Sequence, residues 1–209
     1  MSDLNNNEMA IQVYRLLSHF YLNSPEADKL NSILKWCTNV LEHENQLPSN
    51  ITPAVKQIKS SLEPHITDEL VLALQEDYVR LVRSPSKDTS PPPPYESVYL
   101  EGSLWGNSTV EVSRAYKRNG LEVQGQYKSE PPDHIGLELQ FMASLCEKEK
   151  KEDIQLDFLT NHLTKWFALY RKKAGEYSPH KFYFGVLSLT GEWINLHKEY
   201  LKESSYAPL

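Results

Sequence analysis

Apolar residues recur at intervals of three and four along nearly the whole chain, which is the spacing of one buried helix face. The first such run comprises Ala10, Val13, Tyr14, Leu17, Phe20 and Tyr21. Alternation of apolar and polar residues, the pattern of a strand, is confined to residues 121–124. The periodicity therefore predicts an all-α fold, and we expect a single globular bundle of roughly eight to ten helices.

The helical pattern breaks between Arg83 and Pro94, where Ser, Pro, Lys, Asp and Thr lead into four consecutive prolines. Proline has a fixed φ and no amide hydrogen, so this segment favours an extended polyproline conformation over a helix. A long connection of this kind would permit two chains to exchange halves and form a domain-swapped homodimer. We expect one all-helical domain over residues 1–209, with an N-terminal half at 1–82, a Pro-rich connection at 83–107 and a C-terminal half at 108–209.

Local signals predict where several helices begin and end. Ser24-Pro25 and Thr52-Pro53 each combine a hydroxyl cap with a proline that suits the first helical position. Thr67 is a third start signal, and Ser108 with Glu111 has the spacing of a capping box. Asn119-Gly120 predicts a helix stop, because glycine readily adopts the left-handed conformation found there.

Charge and composition exclude one class of partner. The 209-residue chain is long enough to bury a core, and its formal net charge is -6. Its Lys and Arg residues are mostly interleaved with Glu and Asp, whereas a nucleic-acid-binding surface concentrates basic residues. We therefore expect no nucleic-acid partner, and the acidic balance favours a basic partner such as a cationic peptide.

The apolar runs are too short to cross a bilayer, and the polar, Asn-rich start of the chain lacks the pattern of a secretory signal. Cys37 and Cys146 each lie in an apolar helical pattern, where cysteine is usually a small buried core residue. These features predict a cytoplasmic protein without direct membrane insertion.

The stretch Glu130-Pro131-Pro132-Asp133-His134 immediately precedes an apolar helical pattern. Two adjacent prolines stiffen the backbone at this point, so the charged side chains are presented at a defined place. A carboxylate and an imidazole at a rigid helix start indicate a binding site for a polar group.

Other interpretations of this stretch stay open from the residues alone. His134 and Glu138 lie four positions apart and share a helix face, as metal ligands often do, but no further ligand has matching spacing. Together with Asp133 they would serve a small metal-dependent or acid–base enzyme. Alternatively, Asp133 only caps the next helix by accepting an N–H near Ile135 or Gly136, and His134 is exposed.

Tyr95, Tyr99 and Trp105 cluster in a segment that has little regular pattern. Aromatic residues in such a segment either pin a loop to the core or line a groove. The sequence favours neither role over the other.

Three motifs in this order resemble the TorD/DmsD family of redox-enzyme maturation chaperones. They are residues 93–100 (Pro-Pro-Tyr-Glu-Ser-Val-Tyr-Leu), 106–109 (Gly-Asn-Ser-Thr) and 130–138 (Glu-Pro-Pro-Asp-His-Ile-Gly-Leu-Glu). Residues 78–82 also resemble the family's Tyr-x-x-Leu-Phe element, with Val82 in place of the usual Phe. The chain then departs from the family, because residues 83–90 stand where a short Gly-Pro connection is usual.

The resemblance implies an all-helical cytoplasmic protein that is not an enzyme, and we predict no metal and no cofactor. Family members bind the twin-arginine signal peptide, and sometimes the body, of a molybdopterin-containing oxidoreductase and hold it back from export until its cofactor is inserted. Weak guanine-nucleotide binding has been attributed to some members, but no pattern in this chain indicates a nucleotide site. The implied signal-peptide-binding residues are Tyr95, Ser97, Tyr99, Glu130, Pro132, Asp133 and His134.

The chemistry of these residues fits a peptide with two arginines followed by an apolar stretch. Carboxylates such as Glu130 and Asp133 can accept paired hydrogen bonds from guanidinium groups. We therefore expect these two acids to meet the arginines and His134 to orient Asp133 or contact peptide backbone. Tyr95 and Tyr99 would line the groove for the apolar part.

Overall fold

The computed structural model describes residues 3–148 and 152–206 and confirms the all-α prediction. Within these residues no strand is formed, and the 121–124 segment is irregular. The ends of the predicted domain and residues 149–151 lie outside the described residues. The helices are α1 (Asp3–Leu22), α2 (Ala27–Glu42), α3 (Thr52–Leu62), α4 (Asp68–Tyr78), α5 (Glu96–Glu101), α6 (Asn107–Arg118), α7 (Ile135–Glu147), α8 (Glu152–Phe158), α9 (Thr164–Gly175) and α10 (Lys181–Tyr206).

The chain forms two compact units, and each is built from segments that are distant in sequence. The first unit comprises Met1–Leu22, Pro94–Tyr170 and Ile194–Leu209, and the second comprises Asn23–Pro93 and Arg171–Trp193. One boundary between the units, at Pro93 and Pro94, falls inside the predicted Pro-rich connection. The description of residues 1–209 as one domain with halves at 1–82 and 108–209 stays a prediction.

In the first unit, α1 packs along α7. The apolar run predicted for α1, from Ala10 to Tyr21, is buried at every position. The two helices approach closely at Gly136, whose carbonyl oxygen accepts a hydrogen bond from the Oγ of Ser18 at 2.8 Å. Glycine suits this position because a Cβ there would lie 2.6 Å from the Cγ of Leu22. The pairing fixes the start of α7, which the candidate site shares.

In the second unit, α2 packs on α3, and the two helices bury a continuous apolar stripe. Its members are Leu30, Ile33, Cys37, Val55, Ile58 and Leu62. Cys37 here and Cys146 in the first unit are buried as predicted, and burial raises the pKa of each thiol to about 12. Both cysteines are therefore neutral core residues at physiological pH.

Some of the predicted helix boundaries are confirmed. Thr67 is the N-cap of α4, and its Oγ1 accepts the N–H of Leu70 at 3.2 Å. Gly120 has a φ of 68° just beyond α6 and ends that helix as predicted. Thr52 and Pro53 do mark the start of α3, although Thr52 is its first helical residue rather than its cap.

Two start signals were wrong, for different reasons. Helix α2 begins two residues after Pro25, with Glu26 at the N-cap. Helix α6 begins at Asn107, so Ser108 lies inside the helix. The carboxylate of Glu101 accepts the N–H groups of Asn107 and Ser108 at 2.6 and 2.7 Å. A side chain from the preceding helix therefore caps α6 in place of the local capping box.

The Pro-rich connection is less uniform than its composition suggests. A π-helical turn, Val79–Arg83, extends α4 to the start of the connection. Ser84 then adopts a left-handed φ of 46°, and its Oγ donates to the carbonyl oxygen of Pro91 at 2.5 Å. Within the predicted range 83–107, α5 is a short helix where no regular structure was expected.

Among the described residues, no helix combines the length and the apolar character that a membrane span requires.

Candidate functional site

The two segments that carry the sequence motifs meet at the start of α7. We call residues 94–99 the Pro-Tyr segment and residues 130–134 the Asp-His loop. The N–H of Glu96 donates to the carbonyl oxygen of Asp133, and the N–H of Ile135 donates to that of Pro94, both at 3.0 Å. These bonds form an isolated antiparallel bridge between Tyr95 and His134. The fold thus brings together all seven predicted site residues in the first unit.

Asp133 lies inside this junction and has no exposed surface. Its Oδ2 accepts the backbone N–H of Ser97 at 2.9 Å, and the side chain of Ser97 is also fully buried. The interpretation of Asp133 as the cap of α7 was therefore wrong. Its carboxylate instead fixes the first turn of α5, which belongs to the other motif.

His134, rather than Asp133, caps α7. Its Nδ1 accepts the N–H of Gly136 at 3.2 Å at the N-cap of α7. The expectation of an exposed His134 under the capping interpretation was also wrong, because only 1% of its surface is accessible. The ring of Tyr95 stands edge-on to the imidazole, with 5.0 Å between ring centroids.

Glu130, Tyr95, Pro132 and Tyr99 are half-buried, so each keeps some surface in contact with solvent. The phenol of Tyr95 donates a hydrogen bond to Glu130 Oε1. The carbonyl oxygen of Pro132 accepts the Tyr116 hydroxyl at 2.8 Å. A carboxylate with a tyrosine partner is therefore accessible at the surface of the Asp-His loop.

The roles of the three aromatic residues differ. Tyr99 stacks on Trp166 at 5.8 Å between ring centroids and meets Tyr170 edge-on. This residue therefore pins the Pro-Tyr segment to the core. Trp105, in contrast, is 63% exposed and has a left-handed φ of 64°.

A buried acidic cluster, formed by Glu96, Asp133 and Glu138, lies beneath the junction. His162 Nδ1 is 3.0 Å from Glu96 Oε2, and Trp166 Nε1 donates to Glu138 Oε2 at 3.3 Å. His162 is positioned by the π-helical turn Leu159–Leu163 between α8 and α9. An extra residue in such a turn shifts the helix face and is frequent at functional sites.

Two carboxyl groups of this cluster, those of Glu96 and Glu138, have raised pKa values. Burial, followed by the charges of Glu96 and Asp133, raises the pKa of Glu138 well above its usual value. Burial also raises the pKa of Glu96, although the hydrogen bond to His162 opposes this shift. The protonated, neutral form of Glu138 is therefore favoured inside this cluster. The same environment raises the pKa of Tyr116, chiefly through burial.

Sequence reasoning missed Glu96, His162 and Trp166 as members of this cluster. Glu96 lies in the Pro-Tyr segment, but no spacing rule connects it with His162, which lies 66 residues further on. The one available signal was the presence of an acid, an imidazole and an indole on otherwise apolar helical patterns. Such residues need a polar partner when they are buried.

The arrangement gives the enzyme alternative no support. Asp133, His134 and Glu138 each bond to a structural partner, namely the N–H groups of Ser97 and Gly136 and the indole of Trp166. Among the residues that the structure describes, no group of three or more His, Cys, Asp or Glu side chains could hold a metal ion.

Comparison with known proteins places the chain in a class of assembly factors. The family model described as the nitrate reductase delta subunit matches residues 44–170, which is more than half of the 209-residue chain. The chain is similar to the chaperone protein TorD of Shewanella piezotolerans, with 24% identity over 95% of each chain. It is also similar to the Tat proofreading chaperone DmsD of Salmonella typhimurium, with 26% identity over 81% of this chain and 79% of that protein.

A solved structure supports the same family assignment. The crystal structure of a protein described as a redox enzyme maturation protein from Archaeoglobus fulgidus matches with a TM-score of 0.50 and 25% identity. The match covers 93% of this chain and 94% of that one. The chain belongs to the nitrate reductase delta subunit family, which includes the TorD and DmsD chaperones. The predicted family is therefore confirmed, and with it the prediction of a chaperone rather than an enzyme.

Proposed function

We propose that this chain is a cytoplasmic maturation chaperone for a molybdopterin-containing oxidoreductase. It binds the twin-arginine signal peptide of the precursor, and in part the precursor's body, and delays export until the cofactor is inserted. The similarity to TorD and to the Tat proofreading chaperone DmsD supports this proposal. A net charge of -6 suits a cationic peptide as partner.

The observation that carries the proposal is the position of Glu130. Its half-buried carboxylate pairs with Tyr95, on a loop that backbone hydrogen bonds fix to the Pro-Tyr segment. An arginine guanidinium offers a planar set of donors that a carboxylate accepts two at a time, and partial burial strengthens this pairing. Glu130 is therefore the side chain that we assign to an arginine of the peptide.

The other predicted residues support Glu130 from within the junction. Asp133 and His134 are buried in this conformation, so direct contact between Asp133 and an arginine would require the Asp-His loop to open. We assign to Asp133, His134 and Ser97 the role of holding the loop, and to Tyr95, Tyr99 and Pro132 the role of forming its surface. A domain-swapped homodimer is a further part of the proposal. Analytical sedimentation of the purified protein at several concentrations tests it.

Calorimetric titration with a synthetic twin-arginine signal peptide tests the binding proposal. Replacing Arg-Arg by Lys-Lys in the peptide should weaken binding, because an ammonium group cannot make the paired hydrogen bonds of a guanidinium. Glu130→Gln should weaken binding of the Arg-Arg peptide about tenfold, since a hydrogen bond to a charged group contributes roughly 1–1.5 kcal/mol more than one between neutral groups.

Glu111→Gln, at an exposed position on α6, is the matched control for the loss of one negative charge. It should bind the Arg-Arg peptide as the parent does. Equal affinity of the parent for the Arg-Arg and Lys-Lys peptides would refute the proposed recognition of arginine. No binding of either peptide would refute the signal-peptide function itself.

A further inference from the structure

A cavity of about 260 Å³ opens between the end of α6, residues 121–127 and α7. Its buried lining is apolar and aromatic, formed by Tyr116, Leu137 and Phe141. The rings of Tyr116 and Phe141 lie 4.4 Å apart between centroids. The exposed lining is polar and includes Gln124 and Gln140. We call this the α6–α7 cavity.

The size of the α6–α7 cavity limits what it can hold. Pockets for drug-sized ligands and cofactors usually measure about 300–1,000 Å³ and enclose most of the ligand. At about 260 Å³, this cavity is below that range and suits one large side chain. Its buried aromatic floor and polar rim match the pockets that take the anchor side chains of peptides and protein partners.

The cavity is joined to the accessible carboxylate of Glu130 by a short, hydrogen-bonded path. Tyr127 lines the cavity, and its carbonyl oxygen accepts the N–H of Glu130 at 2.9 Å. On the other side, Tyr116 donates from its hydroxyl to the carbonyl oxygen of Pro132. The cavity therefore lies next to the Asp-His loop, and a single backbone turn connects the two.

Charges of both signs lie around the cavity. Glu122 is the single charged residue in the cavity lining. The nearby Lys148 directs its Nζ to the carbonyl oxygen of Gly120 at 3.4 Å, and the side chain of Lys128 is exposed. Glu122 and the half-buried Glu130 flank the turn Gly125–Tyr127 in sequence, so an arginine-bearing chain would have a carboxylate partner on each side of that turn.

We propose that the α6–α7 cavity receives one apolar side chain of the arginine-bearing peptide while Glu130 binds an arginine. This inference rests on the proposed function and specifies the second half of the recognition site. Recognition then needs two elements at a fixed spacing, an arginine and a large apolar residue close to it in the peptide. A peptide with arginines but without that apolar residue would bind weakly, which adds selectivity to the charge contact.

The test fills the cavity from its exposed side. Gln140→Trp replaces an exposed residue of α7 that lines the cavity, so the core is left intact. Asn195→Trp, at an exposed position on α10, is the matched control. The probe is a synthetic Arg-Arg signal peptide, together with versions in which each apolar residue is replaced in turn by alanine. Calorimetry gives the dissociation constant for every pair of protein and peptide.

We expect Gln140→Trp to weaken binding of the parent peptide about tenfold and Asn195→Trp to leave it unchanged. One alanine version of the peptide should bind the parent protein about tenfold more weakly and lose nothing further with Gln140→Trp. That non-additivity identifies the side chain that enters the cavity. The effect of Lys-Lys in the peptide should instead combine additively with Gln140→Trp.

Other outcomes overturn the inference in distinguishable ways. Unchanged affinity of Gln140→Trp for a peptide that binds the parent would show that the cavity is not used, and the proposed function would stand. Fully additive losses with every alanine version would show an indirect effect of the tryptophan. Failure of the parent to bind any Arg-Arg peptide would refute the proposed function, and this inference with it.

Discussion

The backbone N–H of Ser97 donates to Asp133 Oδ2 at 2.9 Å, and both residues are fully buried. This bond joins the two motif segments across 36 positions of sequence. Asp133→Ala would leave the Ser97 N–H buried without an acceptor. The cost of such a group is about 1–3 kcal/mol, so we expect the free energy of unfolding to fall by that amount. Urea unfolding followed by circular dichroism measures it.

The amide variant Asp133→Asn separates two roles of this residue. An asparagine oxygen can still accept the Ser97 N–H, so stability should fall by less than in Asp133→Ala. If Asp133 acts by positioning, peptide affinity should follow stability across the two variants. A large loss of affinity in Asp133→Asn with parental stability would instead show that the carboxylate itself meets an arginine.

The raised pKa of Glu138 predicts a pH-dependent stability. The folded state keeps the Glu138 proton above pH 4.5, where an unfolded glutamate loses it. The contribution of Glu138 to the free energy of unfolding is therefore complete below pH 4.5 and is lost as pH rises through the folded-state pKa of Glu138. The free energy of unfolding should fall with rising pH, by at most about 1.4 kcal/mol per pH unit from this group.

Glu138→Gln tests this dependence, because glutamine is neutral at every pH. Its amide oxygen can still accept the Trp166 N–H, as the carboxyl oxygen of Glu138 does. Unfolding free energies measured from about pH 5 to about pH 8 should decline less steeply in the variant than in the parent. Parallel curves for the two proteins would mean that Glu138 does not hold its proton in the folded state.

The sequence predicts the helices well because their signal is local. The apolar period of α1, from Ala10 to Tyr21, depends only on neighbours three and four positions away, and all six residues are buried. Capping by Thr67 is likewise decided within one turn. The start of α6 was missed because its capping carboxylate, Glu101, comes from the preceding helix.

The site shows the same limit of local reasoning. The prolines before Asp133 did indicate where a rigid group of polar residues would lie. Whether Asp133 is exposed depends on the N–H of Ser97, and a partner 36 positions away leaves no mark in the local pattern. His162 reaches Glu96 through a π-helical turn that shifts the helix face. No 3.6-residue period predicts that shift.

His197 gives a pH dependence of the opposite sign. This histidine is buried on α10 and hydrogen-bonds through Nδ1 with the Tyr14 hydroxyl at 2.8 Å. Burial lowers its pKa from 6.5 to about 4. Its contribution to stability is complete above pH 6.5 and is lost as pH falls towards 4, because the unfolded chain binds the proton first. Linkage predicts a loss of up to roughly 3 kcal/mol over this interval.

A variant that cannot take up a proton isolates the effect of His197. His197→Gln keeps a polar group near Tyr14, and its stability should vary less with pH below pH 6.5 than that of the parent. His65→Gln, at an exposed position, is the control and should follow the parent curve. Equal acid sensitivity of all three proteins in urea unfolding would contradict the assignment to His197.

Gly136 lies where α1 contacts the start of α7. Replacing it should lower the free energy of unfolding, although helix propensity alone predicts the opposite. Alanine normally stabilises a helix by about 1 kcal/mol relative to glycine. At Gly136, however, the new Cβ would lie 2.6 Å from Leu22 Cγ and 3.3 Å from the capping His134 Nδ1. We expect Gly136→Ala to lower the free energy of unfolding by about 1–3 kcal/mol, because crowding forces the two helices apart.

Gly175→Ala is the matched control for this prediction. Gly175 is the last residue of α9, and a Cβ there would meet no atom within 4 Å. Its stability should be unchanged or raised by up to about 1 kcal/mol. Thermal unfolding of both variants measures the difference. Stabilisation by Gly136→Ala would mean that α1 and α7 can separate without loss, and the start of α7 would then not be fixed by this contact.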